Sequence, residues 1–138
     1  MNDRFKFRVW DKGNEQYLNL SEVDYLTLDT ENGGLIIGFL GELMNEMTYM
    51  PEKDMVIEQC TGLKDKNGNL IYEGDIVKCD RDFSENGRKN LIRKVIFADG
   101  SFQLERTKTI GDRYYINAFH NFEIIENIHE QAEQERTK

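Results

Sequence analysis

Residues 60–77 read CTGLKDKNGNLIYEGDIV, and this stretch decides the class of fold. Its apolar residues form short runs that glycines and polar residues separate. Asn67 and Gly68 tolerate the positive φ of a tight hairpin turn, so they predict a turn between two strands. Gly74 and Asp75 predict a sharp corner into a further strand, where the aspartate carboxylate accepts backbone hydrogen bonds. The stretch therefore predicts antiparallel strands joined by tight turns.

The same pattern continues on both sides of this stretch. Short runs rich in apolar and β-branched residues, bounded by turn residues, indicate strands. They predict strands at residues 5–10, 17–18, 23–28, 35–40, 55–60, 69–72, 76–79, 91–97, 102–105, 114–119 and 122–128. Asp99 and Gly100 predict another tight turn, and residues 80–90 predict a polar loop. Residues 42–50, which precede Pro51, are instead consistent with one short helix.

Many short strands joined by turns predict a mainly β protein, built from several short coiled antiparallel sheets or a small barrel. The chain has 138 residues, which is close to the commonest size of one domain. We find no internal repeat and no linker in it. We therefore expect a single β domain over residues 1–129, followed by a frayed polar tail over residues 130–138.

The charge of the chain bears on its partners. Acidic side chains number 26 against 18 basic ones, which gives a formal net charge of −8. A negatively charged body is repelled by phosphate backbones and anionic lipids, so nucleic acid is a less favoured partner and a membrane is not expected. The first residues lack an apolar signal core, and no apolar run approaches the length of a membrane span. These features predict a cytoplasmic protein with reduced cysteines.

The central stretch resembles the YopX family of phage and prophage proteins. Residues 7–11, 95–102 and 122–130 resemble the opening strand, the later hairpin and the closing segment of that family, in the same order. Cys60 departs from the pattern, because an aromatic residue usually precedes the Thr-Gly-Leu sequence. The resemblance implies a largely β protein encoded by a phage or prophage and located in a bacterial host cell. It implies no assigned activity, so no functional residue is carried over.

No group of residues predicts a reaction centre. His120 and His129 would fall on opposite faces of a strand and half a turn out of phase on a helix, so a metal site is not expected. Two acidic pairs, Glu73 with Asp75 and Asp80 with Asp82, lie in turn-like surroundings where carboxylates bond the backbone. Cys60 and Cys79 fit core positions. We therefore predict a protein that is not an enzyme, with no catalytic residue, metal or cofactor, and a carboxylate or metal hydrolase is the least favoured alternative.

Basic residues are concentrated in one part of the chain, around the predicted hairpin at residues 88–94. The candidate nucleic-acid contacts are Arg81, Arg88, Lys89, Arg93 and Lys94. Bases would stack on Phe83, Tyr114 and Tyr115. The acids Asp80, Asp82 and Glu85 interrupt this patch, which favours a solvated hairpin over a binding surface.

The leading hypothesis is a non-enzymatic, homo-oligomeric module for protein interaction or scaffolding, because short strands expose edges that invite pairing between copies. The candidate protein contacts are Met44, Met47, Tyr49 and Met50, since methionine adapts to varied partners; core positions are equally consistent with this composition. A host protein is a further candidate partner. Two alternatives remain open: a small nucleic-acid-binding β-barrel that uses residues 88–94, and an acidic decoy of a host nucleic-acid-binding protein.

Overall fold

The computed structural model describes residues 6–19, 25–29, 31–40, 45–81, 87–108 and 111–130. Within these ranges most residues are in strands, and the prediction of a mainly β protein is confirmed. The strands are β1 (Phe7–Asp11), β2 (Gln16–Tyr17), β3 (Tyr25–Leu28), β4 (Leu35–Leu40), β5 (Asn45–Met50), β6 (Met55–Lys64), β7 (Leu70–Tyr72), β8 (Asp75–Arg81), β9 (Arg88–Ala98), β10 (Ser101–Arg106), β11 (Arg113–Tyr115) and β12 (Phe119–Asn127). Glu52–Asp54 and Ile116–Ala118 form 3-10 helices, and residues 128–130 form an α-helical turn.

The prediction of a short helix near residues 42–50 is wrong over the part that the structure describes. Residues 45–50 form β5, which pairs antiparallel with β4, and residues 42–44 lie outside the described residues. Met50 lies opposite Leu35, which is fully buried, and Tyr49 lies opposite Ile36. Apolar partners on a neighbouring strand therefore decide the structure of this segment, because strand formation depends on cross-strand packing more than on local propensity.

The chain divides into two compact units. Arg8–Glu58 form one, called here the N-terminal unit, and the rest of the chain forms the other, called the C-terminal unit. In the N-terminal unit β4 lies between β3 and β5, and β1 pairs with β2. In the C-terminal unit the later residues of β6 pair with β7. That residues 1–129 behave as a single domain stays a prediction, and the predicted tail lies outside the described residues from residue 131 onward.

A buried carboxylate on β6 joins β1 and β2 in the N-terminal unit. The side chain of Glu58 accepts hydrogen bonds from the Tyr17 hydroxyl at 2.7 Å and from Arg8 Nε at 2.9 Å. The Arg8 guanidinium also lies 4.5 Å from the centroid of the Tyr17 ring, and Trp10 packs edge-on against the same ring. A buried charge is tolerated when it is paired and hydrogen-bonded in this way, so these residues have a structural role.

The C-terminal unit contains a five-stranded antiparallel sheet in the order β11-β10-β9-β8-β12. The edge strands β11 and β12 are consecutive in the chain, and only Ile116–Ala118 connect them. Five flat strands would separate the two edges by about 19 Å. The four residue steps from Tyr115 to Phe119 span about 14 Å at most. The sheet must therefore curl, and it forms half of a barrel.

One face of this curled sheet holds the core of the C-terminal unit. Residues directly opposite each other in an antiparallel pair share a face. On this face, called here the inner face, Val77, Val95 and Leu104 are almost completely buried, with Ile71 and Phe119 packed into the same cluster. The core therefore lies inside the curl of the sheet.

The predicted turns are confirmed. Asp99 and Gly100 both have positive φ, at 51° and 80°, and they join β9 to β10 with Ala98 opposite Ser101. This is the two-residue turn whose twist suits a hairpin. At the predicted corner Gly74 has a φ of 91°, and the Asp75 carboxylate accepts the Tyr72 N–H at 2.8 Å. These local signals position the strands that carry the candidate site.

Candidate functional site

A shallow groove of about 370 Å³ lies at the open end of the β9–β10 hairpin. Its lining residues are Arg88, Leu91, Ile92, Arg93, Arg106, Thr107 and Lys108. Four of these seven side chains are cationic and none is acidic, so we call this feature the basic groove. In a chain that carries a net charge of −8, such a local excess of positive charge is a candidate site for an anion.

The register of the hairpin brings two arginines face to face. Arg93 on β9 lies directly opposite Arg106 on β10, and its neighbour on the other side is Val77 on β8. Like charges that face each other across strands destabilise a sheet. Asp112, which pairs with Arg106, offsets part of this repulsion, and a bound anion between the two guanidinium groups would offset it further.

Arg93 shows the electrostatic cost of this arrangement. Burial lowers the pKa of its guanidinium, and the positive charge of Arg106 lowers that pKa further. The group nevertheless stays charged at neutral pH, because an arginine pKa lies far above 7. Its Nη1 donates a hydrogen bond to the carbonyl of Ile92 at 2.8 Å, which fixes the direction of the side chain.

Carboxylates neutralise only part of the basic surface. Arg106 Nε lies 2.7 Å from Asp112 Oδ2, and Lys94 Nζ lies 3.5 Å from Glu105 Oε1. Within the part of the chain that the structure describes, Arg88, Arg93 and Lys108 have no carboxylate at ion-pair distance. Three groove cations are therefore available to an external anion.

The five basic residues predicted from the sequence do not lie together. Arg88 and Arg93 line the groove. Lys94 follows Arg93 in the strand, so it lies on the opposite face, where it pairs with Glu105. Lys89 is exposed on β9 beside the groove. Arg81 lies opposite Arg88, and its guanidinium is 4.0 Å from the centroid of the Tyr114 ring.

The predicted loop at residues 80–90 is largely strand in its described part. β8 extends to Arg81 and β9 begins at Arg88, while residues 82–86, and with them Phe83, Asp82 and Glu85, lie outside the described residues. Asp80 does not oppose the groove cations as an unpaired charge. Its carboxylate accepts hydrogen bonds from the Asn121 side chain at 3.0 Å and from the Asn90 N–H at 2.9 Å. The Asn121 bond, followed by the Asn90 bond, lowers the pKa of Asp80.

Sequence reasoning missed two residues of the groove, Arg106 and Lys108. A signal for Arg106 was present. A two-residue turn at Asp99 and Gly100 sets Ala98 opposite Ser101. Arg93 lies five residues before Ala98 and Arg106 lies five residues after Ser101, so the same register places the two arginines opposite each other. Lys108 carried no comparable signal, because it follows the end of β10 and its position depends on how the chain continues after the strand.

The acids Glu73 and Asp75 accept backbone hydrogen bonds, whereas the two histidines lie on β12 and in the helical turn. The Glu73 carboxylate accepts the Gln59 N–H at 3.2 Å, and Asp75 caps the corner described above. His120 is exposed on β12, whereas His129 lies in the helical turn. Among the described residues no three metal-ligating side chains cluster, and none of the helices described is long and apolar enough to cross a membrane.

The two cysteines fill the core, as predicted. Both Cys60 and Cys79 are buried and neither forms a disulfide. Burial raises the pKa of the Cys79 thiol to about 11. Its Sγ donates a weak hydrogen bond to the Leu91 carbonyl at 3.8 Å. A thiol with so high a pKa is a poor nucleophile at neutral pH.

The predicted protein-contact residues lie on or beside β5. Met44 is outside the described residues, and Met47 lies within the strand. Met50 is partly buried opposite Leu35, and Tyr49 is 50% exposed. Their role in a protein contact stays a prediction.

The curled antiparallel architecture and the sequence identify the class of protein. The chain matches the YopX protein family over residues 6–134, and it therefore belongs to that family. It is similar to protein EF1440 from Enterococcus faecalis, whose crystal structure has 28% sequence identity and a TM-score of 0.56, with 94% of this chain and 96% of that chain covered. It also has the fold of protein yopX from Bacillus subtilis, with 23% identity, a TM-score of 0.60, and 96% and 98% of the two chains covered. No curated protein matches the chain.

Proposed function

We propose that this YopX-family protein is a non-enzymatic binding protein that holds nucleic acid through phosphates in the basic groove. The observation that carries the proposal is the face-to-face pair Arg93 and Arg106, extended by Arg88 and Lys108 along one groove. Arginine is well suited to phosphate, because its planar guanidinium donates paired hydrogen bonds to two oxygens. Phosphates would supply the countercharge that the described carboxylates do not.

The net charge of −8 is compatible with this site. Charges in water are screened beyond about 8 Å at physiological ionic strength. A phosphate in the groove therefore responds mainly to the cations that line it, and less to acids elsewhere on the surface. The net charge opposes long-range attraction, so we expect binding of moderate affinity that depends on direct contact.

The absence of a catalytic role is part of the same proposal. The carboxylates considered as acids or bases, Glu73, Asp75 and Asp80, each accept a backbone N–H and so hold turns and strands in place. The Cys79 thiol is buried and its pKa is raised. These groups are committed to the fold, which supports a binding protein over a hydrolase.

The first test measures the affinity for a fluorescently labelled single-stranded DNA of about 12 nucleotides, by anisotropy. The double variant Arg88→Gln/Arg93→Gln should bind at least about tenfold more weakly at low salt, because two charge-assisted contacts are lost. Between about 50 and 200 mM salt, the slope of log affinity against log salt should flatten by about 1.4.

The matched control is Lys12→Gln/Lys53→Gln, which removes the same charge from exposed lysines of the N-terminal unit. It should leave the affinity and the salt slope close to those of the unchanged protein. Equal losses in both double variants, or no binding at low salt, would overturn the proposal. Recovery from a bacterial lysate of a basic protein that stays bound after nuclease treatment would favour the acidic decoy instead.

A second variant should change the affinity in the opposite direction. Asp112 competes with any ligand phosphate for Arg106, since its carboxylate lies 2.7 Å from Arg106 Nε. Asp112→Asn should therefore tighten binding by about threefold to tenfold at low salt. Weaker binding of this variant in the same anisotropy titration would show that Asp112 positions Arg106 and does not compete with the ligand.

A second candidate function, homo-oligomeric scaffolding, is favoured by the sheet of the N-terminal unit. In its described part, β3 and β5 are the edge strands of a three-stranded sheet. Both carry exposed apolar side chains, Leu28 at 53% and Tyr49 at 50%. We propose that copies associate along β5. Sedimentation velocity across micromolar concentrations should show an oligomer that Tyr49→Lys shifts towards monomer, and a monomer at every concentration would exclude this role.

A further inference from the structure

A second groove lies near the turn of the same β9–β10 hairpin and has a volume of about 270 Å³. Its lining residues are Ser101, Phe102, Tyr115, Ile116 and Asn117. The walls are largely apolar and aromatic, and their polar groups are the hydroxyls of Ser101 and Tyr115 and the amide of Asn117, so we call it the aromatic groove. Phe102 packs edge-on against Phe97 at a ring separation of 5.1 Å, which holds one wall in place.

The edge strand β11 runs between the two grooves. Its three residues, Arg113, Tyr114 and Tyr115, are all exposed. Arg113 lies opposite Glu105, which is the residue before Arg106 of the basic groove. Tyr115 lies opposite Gln103, which is the residue after Phe102 of the aromatic groove. Tyr114 lies opposite Leu104 on the inner face, whereas Arg113 and Tyr115 lie on the opposite face. Arg113 Nη2 lies 2.9 Å from Asp99 Oδ2 at the turn. The exposed edge strand therefore presents one aromatic ring on each of its faces between the two grooves.

A further cation lies beside the middle residue of β11. The Arg81 guanidinium is 4.0 Å from the centroid of the Tyr114 ring. Cations that follow a backbone and aromatic rings on which bases stack are the two features that proteins use to bind single-stranded nucleic acid. Here the cations lie on β8, β9 and β10 and the rings on the edge strand β11.

The spacing of the grooves suits a short oligonucleotide. Four residue steps of β10 separate Arg106 from Phe102, which corresponds to about 13 Å along a strand. A stacked nucleic-acid strand advances about 3.4 Å per nucleotide, so this distance is about four nucleotides. A single oligomer can therefore place phosphates at the basic groove and a base at the aromatic groove.

We infer that the two grooves form one site for single-stranded nucleic acid, in which a base stacks on Tyr115 and presents its hydrogen-bonding edge to Asn117 and Ser101. This inference rests on the proposed function and names its substrate class. A duplex keeps its bases stacked and paired, so it would use the basic groove and leave the aromatic groove empty.

The experiment compares three labelled ligands that are matched in length: a single-stranded DNA of about 12 nucleotides, an abasic strand with the same phosphates, and the corresponding duplex. The unchanged protein should bind the single strand about tenfold more tightly than the abasic strand, because stacking of one base is lost in the latter. Tyr115→Ala should remove this difference and leave the affinity for the abasic strand unchanged.

Two further variants separate stacking from a general effect on the fold. Tyr115 is 63% exposed, so its replacement should not unfold the protein. Tyr115→Phe should keep the tenfold preference, since the ring remains. Ile125→Ala is the matched control, because Ile125 is another exposed large side chain of the C-terminal unit and lines neither groove.

The outcomes distinguish this inference from the proposed function. Equal affinity for the single strand and the abasic strand would overturn the base site and retain the phosphate groove. Tighter binding of the duplex would likewise retain the groove and overturn the choice of a single strand. Failure of all three ligands to bind at low salt would overturn both.

Discussion

Two parts of the inner face of the β9–β10 hairpin differ sharply, although the same two strands form both. At one end Val95 on β9 and Leu104 on β10 lie opposite each other and are fully buried. Two residues further from the turn in each strand, and on the same face, Arg93 lies opposite Arg106. Successive strand residues alternate between the two faces of the sheet, so the sequence sets which face a residue occupies. Whether that residue is then in the core or in a groove depends on whether other parts of the chain cover it.

The comparison separates the residues that stabilise the fold from those that we propose bind a ligand, by about 7 Å along the strands. The covered end contributes apolar burial, which is the main favourable term in folding. The open end places like charges together and so opposes folding. Variants at the two ends should therefore change different measured quantities.

The largest expected effect comes from opening a cavity at the covered end. Leu104→Ala should lower the free energy of unfolding by about 2–5 kcal/mol, because Leu104 is fully buried within the core cluster. Urea unfolding followed by circular dichroism measures this change. Ile92→Ala, at an exposed position of the same sheet, should cost less than about 1 kcal/mol.

The affinity of the folded Leu104→Ala protein for DNA should stay unchanged, since the substitution does not alter the cations of the basic groove. A large loss of affinity without a loss of stability would contradict the separation of the two ends.

The next largest loss of stability is expected at the turn after β6, where Asp65 bonds to its own turn and to β12. The buried carboxylate of Asp65 accepts N–H groups of Asn67 and Asn69 at 2.9 Å, and of Ile124 on β12 at 3.2 Å. Ile124 packs against the core cluster. Asp65→Asn should destabilise the protein by about 1–3 kcal/mol at neutral pH, because an amide group places a donor where the backbone N–H groups also donate.

This loss should depend on pH. Burial works against the charged form of Asp65, but the N–H donors of Asn69, Ile124 and Asn67 outweigh it and hold its pKa below the ordinary value of 3.8. The unfolded chain therefore binds the proton first as the pH falls, and the stability from Asp65 is lost below about pH 4. Thermal melts should show the unchanged protein and Asp65→Asn converging as the pH falls through that range. A constant difference from pH 7 to the acid limit would exclude this linkage.

The smallest expected change in stability comes from converting the open end into core. Arg93→Leu places an apolar side chain beside Leu91, Val95 and Val77 and removes the repulsion from Arg106. The free energy of unfolding should rise by about 0.5–1 kcal/mol, while the affinity for single-stranded DNA should fall at least about tenfold. Arg93→Lys, which keeps the charge, should retain most of the affinity. A destabilised Arg93→Leu protein would show that Arg93 supports the fold.

Much of the fold could be predicted because its signals are local. The turns at Asn67-Gly68 and Asp99-Gly100, and the corner at Gly74, depend on residues that tolerate or require particular backbone angles, and each is where the sequence predicts it. β5 was predicted wrongly because its structure depends on β4, a partner that its own residues do not specify. Strand pairing is a non-local choice, and local propensity does not determine it.

The candidate site was predicted in part for the same reason. Arg88 and Arg93 are visible as a basic run in the chain, but a run alone does not distinguish a groove from a solvated hairpin. The registers that place Arg106 opposite Arg93 and Tyr115 beside Phe102 convert separate segments into two grooves.

The sequence by itself determined the class of fold, the turns, the family and the positions of the basic and aromatic residues. Only the tertiary structure decided that the sheet curls, that its edges β11 and β12 come close, and that Arg81 reaches Tyr114. The physical reason is that backbone angles are set within a few residues, whereas the curl of a sheet depends on twist and packing summed over all of its strands.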